Sequence, residues 1–221
     1  MNRAVLEHET LGYGAAPVLN DVSFAFAPGE RIAILGSSGA GKSTLLTAID
    51  QKLVASGERV GLLPQDLALV PQLSVVKNVL MGRLDDHGTL YNLTNLLRTR
   101  QADRARIMDI LGDVGLTSHA DCAVETLSGG QKQRTALARA LLRGGDIFVG
   151  DEPFSAIDET QAAMLLKLVG TRFPTVVLVL HDVALSLSFA TRILGLRHGR
   201  IEINAAPDAV TPEQINALYH T

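Results

Sequence analysis

The chain has one cysteine, Cys122, among 221 residues. That excludes an intrachain disulfide and any multi-cysteine metal centre, and it fits a reducing compartment. Cys122 itself reads as a small packed residue rather than a reactive thiol. Long apolar runs are also missing. The longest clean one, Val176-Val-Leu-Val-Leu180, falls far short of the roughly 18 residues that span a bilayer. The first fourteen residues, with Glu7 among them and no apolar stretch, do not form a secretory signal. No basic stripe exists either: 20 Lys and Arg are scattered against 23 Asp and Glu, for a net charge of −3. Nucleic acid is therefore not an expected partner. The chain is expected to be soluble, or to be held at a membrane by another protein.

A hydrophobic content of 47% is ample for a sizeable core in one large domain. Short runs rich in β-branched residues and leucine fall at 22–26, 31–35, 146–150, 175–180 and 192–197. They read as strands, several of them buried on both faces. Helical patterns separate most of them, which predicts an α/β architecture with a mostly parallel sheet. From 74 to 126 the spacing is helical with no strong strand, so an inserted helical subdomain is expected there, flanked by a core of 1–73 and 127–221. Residues 211–219 predict a terminal helix, with Thr211 as N-cap and Pro212 and Glu213 in its first turn.

Gly36-Ser37-Ser38-Gly39-Ala40-Gly41-Lys42-Ser43, followed by Thr44, matches G-x-x-x-x-G-K-[ST] between a predicted strand and a predicted helix. Glycines let the backbone N–H groups curl toward phosphate oxygens, Lys42 supplies a mobile charge, and Ser43 is placed for Mg²⁺. A second candidate anion site is Glu125-Thr-Leu-Ser-Gly-Gly-Gln-Lys-Gln-Arg134, where Ser128, Gly129, Gly130 and Gln131 precede a helical run. Downstream, a predicted strand ends in Asp151, suited to Mg²⁺, followed by Glu152, suited to polarise an attacking water. Adjacent carboxylates of this kind point to hydrolysis rather than phosphoryl transfer to a substrate.

With the phosphate loop, Leu127-Ser-Gly-Gly-Gln131 and Asp151-Glu152-Pro153-Phe154-Ser155-Ala156-Ile157-Asp158 in this order, nearly the whole chain resembles the ATP-binding-cassette (ABC) ATPases, the nucleotide-binding subunits of ABC transporters. The resemblance implies the P-loop NTPase cassette fold, with a small antiparallel β region near the N-terminus and the inserted helical subdomain. It implies ATP and Mg²⁺ as ligands. It also implies that Tyr13 stacks on adenine, that Gln65 senses Mg²⁺ and the attacking water, and that His181 contacts the γ-phosphate. Ser155 to Asp158 resemble the loop that runs across the family's dimer interface. In that family two subunits face each other head to tail, so Ser128, Gly129 and Gly130 complete the partner's site. The working unit is then a homodimer or a pair of cassettes on the cytoplasmic face of the inner membrane. It is bound to an integral membrane permease and served indirectly by a solute-binding protein.

Two departures stand out. Gln65 comes only twenty-three positions after Lys42, where the family commonly fits two further strands, so a trimmed sheet edge is expected. Gly150 stands where the family usually has a large apolar residue, weakening the strand and leaving room for a neighbour. Leu69, Val70 and Leu73 beside Gln65 are either permease contacts or core. The stretches at 78–84, 193–201 and 215–219 are similar to phosphonate importer ATPases. A soluble ABC ATPase outside transport would share every motif, and an inactive subunit would be expected to lose Glu152 or His181.

Overall fold

The computed structural model describes residues 3–13 and 16–220, the side chains at 3, 4, 13 and 16 excepted. The chain divides into two compact units. The first comprises residues 1–65, 145–153 and 173–221, and the second comprises 66–144 and 154–172.

The first unit is built on a six-stranded sheet. Its strands are β3 (Arg31–Leu35), β4 (Val60–Leu63), β5 (Ile147–Asp151), β6 (Thr175–Val179), β7 (Arg192–Arg197) and β8 (Arg200–Ala205). They lie in the order β4-β5-β6-β3-β7-β8, parallel except for the final β7–β8 pair. Every residue of β5 and β6 is buried, as near-continuous apolar runs covered on both faces require. Along β3 the faces alternate. Ile32 and Ile34 join a cluster with Leu45, Leu46, Ile49 and Leu53 of helix α1 (Lys42–Ala55). Ala33 and Leu35 pack with Ala190, Ile203 and Leu218 on the other side.

Strands β1 (Arg3–Tyr13) and β2 (Ala16–Phe26) form a separate antiparallel pair, whose Leu6, Leu19, Phe24 and Phe26 cap the α1 side of the core. Helix α1 ends at Ala55 with Ser56 as its C-cap, and the chain turns at Gly57 (φ +82°) straight into β4. The short path from Lys42 to Gln65 thus holds one helix and one strand, and the antiparallel sheet has two strands among the described residues.

Register fixes what meets at the carboxyl edge. Ile34 pairs with Val179, and Val179 with Asp151, so β3, β6 and β5 end side by side. Loops leaving that edge are where open α/β sheets bind ligands. The first unit closes with α7 (Val183–Phe189), capped by the Asp182 carboxylate, and α8 (Pro212–Tyr219), where Thr211 and Gln214 form a reciprocal cap.

The second unit contains α2 (Val75–Leu80), α3 (Thr89–Leu97), α4 (Gln101–Asp113), α5 (Gly129–Arg143) and α6 (Glu159–Arg172). Helix α5 packs on α2 and α4. Its buried face carries Ala136, Leu137, Ala140 and Leu141, an apolar stripe at helical spacing. Asn78 is fully buried, yet its amide accepts from Val70 N–H (2.8 Å) and donates to the carbonyls of Val70, Leu73 and Ser74. These bonds fold residues 70–74 around one side chain and satisfy backbone groups that burial would otherwise strand.

Candidate active site

Strand β3 ends at Leu35 and α1 begins at Lys42, so the loop between them carries residues 36–41. Gly36 has φ +149°, and a Cβ there would lie 2.3 Å from the Leu196 carbonyl oxygen. Only glycine can follow β3 at that point. Gly41 sits at the α1 N-cap in the left-handed region (φ 101°, ψ 11°), without a side-chain cap. No acidic residue lies in the first turn. The α1 N-terminus therefore offers its N–H groups and its positive dipole end to an anion. Ser38, Gly39 and Ser43 are exposed, so the cradle is open to a ligand.

Lys42 is 7% exposed, and its Nζ donates to the carbonyls of Gly36 (2.8 Å) and Ser37 (2.9 Å). Burial lowers its pKa, while the Glu152 and Asp151 carboxylates pull it back up. The ammonium is thus held against loop carbonyls, a modest exchange for the far stronger acceptor that a phosphate oxygen supplies.

At the end of β5, Asp151 is 6% exposed, and its Oδ1 has no hydrogen-bond partner. Burial raises its pKa, and a hydrogen bond from the Ser43 hydroxyl opposes that rise. An unpaired carboxylate oxygen in a buried place is costly. A cation beside Ser43 would satisfy it, and hydroxyl plus carboxylate oxygens suit Mg²⁺. Among the described residues no cluster of three His, Cys, Asp or Glu side chains forms a metal site.

Glu152 follows with φ +50°, a conformation that costs a non-glycine residue on the order of 1–3 kcal/mol. Its N–H donates to Val179 O (3.1 Å), which pins the turn. The result brings Glu152 Oε1 to 2.5 Å from His181 Nε2, the histidine just past β6. The sequence-predicted Lys42, Ser43, Asp151, Glu152 and His181 therefore gather at one edge of the sheet. Gln65 lies exposed two residues beyond β4. Tyr13 closes β1 along its backbone, and its side chain lies outside the described residues. Gly150 has no spare room beside it, since a Cβ would meet Leu178 Cδ2 at 2.8 Å and Phe148 Cε1 at 2.9 Å. Those two side chains already fill the space that the sequence left open.

Ser128, Gly129, Gly130 and Gln131 belong to the second unit. Ser128 caps α5: its Oγ accepts from Gln131 N–H (3.3 Å), and Gln131 Oε1 accepts from Ser128 N–H (2.8 Å). The Gln131 amide nitrogen sits 3.0 Å from His119 Nε2. Gln133 Nε2 donates to Ser155 Oγ (2.7 Å), and Ala156 N–H donates to Gln133 Oε1 (2.9 Å). These bonds lay residues 155–156 along the start of α5. A Cβ on Gly130 would stand 2.7 Å from Ala156 O.

Sequence reasoning missed several contacts. Arg139 of α5 donates to the carbonyls of Leu67 and Ala68 (2.6 and 2.5 Å), two successive left-handed residues. The end of α8 also reaches the phosphate loop, with Leu218 O accepting from Ser37 N–H at 3.3 Å. Neither pairing has a local sequence signal.

A mostly parallel sheet with a glycine-rich phosphate loop, a buried carboxylate and a glutamate–histidine pair at its carboxyl edge defines a nucleotide-hydrolysing P-loop protein. The ABC transporter family model matches residues 19–155, more than half of the chain, and the chain belongs to that family. It is 37% identical to a phosphonates import ATP-binding protein of Pseudomonas entomophila (strain L48), over 97% of this chain and 90% of that one. It is 42% identical to an aliphatic sulfonates import ATP-binding protein of Paracoccus denitrificans (strain Pd 1222), over 86% and 77% of the two chains. A dimeric ATP-binding cassette, solved in a post-hydrolysis state with ADP and Pi, superposes with a TM-score of 0.78 at 25% identity over 94% of this chain and 99% of that one. The chain is an ABC ATPase. Among the described residues no helix is long and apolar enough to cross a membrane.

Proposed function

We propose that this chain is the ATP-hydrolysing subunit of an importer for a small organic phosphonate or sulfonate, working as a pair of cassettes bound to a membrane permease. The observation that carries the catalytic part is the convergence of Lys42, Ser43, Asp151, Glu152 and His181 at the carboxyl ends of β3, β5 and β6. The transport part rests on the import proteins to which the chain is similar along most of its length. That similarity favours transport over a soluble ATPase. Retention of the Glu152–His181 contact argues against an inactive subunit.

In this reading the backbone N–H groups of residues 39–44 receive the ATP phosphates, and Lys42 leaves the Gly36 and Ser37 carbonyls for phosphate oxygens. Ser43 and Asp151 hold Mg²⁺, with Gln65 as a further oxygen ligand from the loop after β4. Bound there, Mg²⁺ neutralises phosphate charge and orients the γ-phosphate. Glu152 accepts the proton of the attacking water, and His181 keeps the carboxylate aimed while facing the γ-phosphate. Tyr13 stacks on the adenine. Ser128, Gly129 and Gly130 of one copy present the α5 N-terminus to the nucleotide on the other, and Gln131 holds the Ser128 backbone for that contact. ATP then closes the pair, and loss of the γ-phosphate opens it. The permease holds the assembly at the cytoplasmic face of the membrane.

Glu152→Gln tests this. The amide keeps the size of the side chain and removes the base, so phosphate release should fall by about 10²-fold or more, while size-exclusion chromatography with ATP and Mg²⁺ shows a lasting dimer. A variant that turns over normally, or stays monomeric with ATP, overturns the reading. Co-purification of a membrane protein with the tagged chain from its native host tests the permease separately.

A further inference from the structure

Behind the Ser128–Gln131 cap stands a second layer of hydrogen bonds, and the donor and acceptor capacities of its groups fix its direction. Ser128 N–H is a donor, so the amide atom 2.8 Å from it is the Gln131 oxygen. The other end of that amide, Nε2, can only donate. It lies 3.0 Å from His119 Nε2, so this ring nitrogen accepts. The ring proton is then on Nδ1, which faces Ser118 Oγ at 3.1 Å and donates to it. The bonds run from Ser128 N–H through Gln131 and His119 to Ser118, and bonds in such a chain polarise one another.

His119 can hold Gln131 because its own backbone is held. It closes the short helical turn Thr117–His119, where its N–H donates to Leu116 O (2.9 Å) and its carbonyl accepts from Cys122 N–H (3.0 Å). Leu116 is fully buried and Ala120 is 4% exposed. Ala120 O also accepts from Val76 N–H of α2 at 2.9 Å, so the turn is anchored in the packed part of the second unit. Gln131, by contrast, is a long side chain whose rotamer freedom opposes a single bond to Ser128 N–H. A second bond, to a ring on a fixed turn, offsets that cost and keeps the amide from swinging away or reversing.

The geometry points to His119 as a positioning residue for ATP-driven pairing: by accepting from the Gln131 amide it keeps Gln131 on the Ser128 N–H, and so holds the start of α5 in the shape that meets the nucleotide of the other copy. This inference rests on the reading of Ser128, Gly129 and Gly130 as the part of the site supplied in trans. In that reading a single chain binds ATP through residues 36–44. His119 therefore bears on pairing and turnover, and leaves the first binding of nucleotide alone.

The test adds His119→Phe, His119→Leu or His119→Gln to the Glu152→Gln chain, in which pairing is read without turnover. Phenylalanine and leucine both remove the acceptor and differ in shape, whereas the glutamine carbonyl oxygen restores an acceptor at nearly the reach of Nε2. A fluorescent ATP analogue at low chain concentration gives the nucleotide Kd, sedimentation over a concentration series with ATP and Mg²⁺ gives the dimer Kd, and nucleotide-free melts report stability. His119→Phe and His119→Leu should each raise the dimer Kd roughly three- to tenfold or more, with the nucleotide Kd within about twofold of the parent. Their melting temperatures should stay within about 4 °C of the parent. His119→Gln should bring the dimer Kd back to within about threefold of the parent. With Glu152 restored, phosphate release should follow the same order. An unchanged dimer Kd in either acceptor-free variant, a loss that His119→Gln does not repair, or an equal loss of nucleotide binding by the single chain overturns the inference. If the Glu152→Gln parent pairs with ATP and the acceptor-free variants pair as tightly, only the role of His119 fails. If the parent itself does not pair, the reading of a site shared in trans fails and takes this inference with it.

Discussion

Gly129 and Gly130 are neighbours in the first turn of α5, and the structure predicts opposite responses to the same substitution. Helix propensity alone favours alanine over glycine at either position by up to about 1 kcal/mol. At Gly129 the added methyl would meet Ala156 Cβ at 3.4 Å, an ordinary contact. At Gly130 it would lie 2.7 Å from Ala156 O, a backbone atom held in place because Gln133 binds Ala156 N–H and Ser155 Oγ. Relieving that overlap means displacing the 155–156 turn, and overpacking of this kind typically costs about 1–3 kcal/mol. Subtracting a gain of about 1 kcal/mol leaves Gly130→Ala roughly 0–2 kcal/mol less stable. For a chain of this size that is a fall of up to about 8 °C in Tm. Gly129→Ala should melt at the wild-type temperature or about 1–3 °C above it. Nucleotide-free thermal melts of the purified chain decide the matter, read at low protein concentration so that pairing does not contribute. If Gly130→Ala is as stable as Gly129→Ala, the reasoning that the second glycine makes room for residues 155–156 is wrong.

Asp151→Asn should raise the nucleotide-free Tm by a few degrees, removing a buried charge, while abolishing Mg²⁺-dependent phosphate release; equal or lower stability in the variant contradicts the burial cost. The pH dependence follows from the same raised pKa. Asp151 binds its proton more tightly folded than unfolded, so its contribution to stability is fully present below the unfolded pKa and is lost as pH rises through the folded one. The melting-temperature advantage of Asp151→Asn should therefore grow with rising pH across the acid range and level off above it; a pH-independent difference refutes the assignment. Mixing Ser128→Arg chains with Lys42→Ala chains should give heterodimers with one intact composite site and partial ATPase, whereas each variant alone is nearly inactive; absence of any rescue counts against sharing in trans. Arg139→Ala should lower stability by about 1–3 kcal/mol, since it removes two charge-assisted hydrogen bonds to the Leu67 and Ala68 carbonyls, and urea unfolding measures that loss.

What the sequence discloses follows from how local each signal is. The strand–loop–helix setting of residues 36–43 and the strand-end place of Asp151 and Glu152 were legible because each is a run of consecutive residues, and β3, β5, β6 and β7 because buried parallel strands are mostly apolar. Strand β1 was expected only through the family resemblance, as part of a small antiparallel region, and not from its own residues. His8 takes φ +50°, and the β1–β2 register shifts at several points, so the period of two that marks a strand is broken. Strand β8 escaped for a different reason: it is an edge strand, exposed along much of its length. The separation of α3 from α4 at residues 98–100 has no proline or glycine to announce it. The bonds of Arg139, Gln133 and Leu218 join residues far apart in the chain, and no periodicity encodes such pairings.

The two segments proposed to meet the nucleotide are alike in composition and different in construction. In the loop at 36–41, glycines serve conformation and close approach: Gly36 and Gly41 take positive φ, Gly41 leaves α1 without a side-chain cap, and the first turn of α1 has no acidic residue. A ligand must supply the cap. At 128–131 the helix already has a complete one, Ser128 with Gln131, and Gly130 serves approach instead, giving the 155–156 turn its place. On the proposed function, the first segment would wrap an anion and the second would present a pre-capped helix end from outside. A chain needs both only if each meets the nucleotide from a different side, which is the physical content of the pairing proposed above. Thermal melts can separate the two: ATP should stabilise wild type strongly and Ser128→Ala chains at low concentration almost as strongly, because the monomeric contact runs through 36–44 alone. A large loss of ATP stabilisation in monomeric Ser128→Ala would place Ser128 in its own chain's site and refute the division of labour.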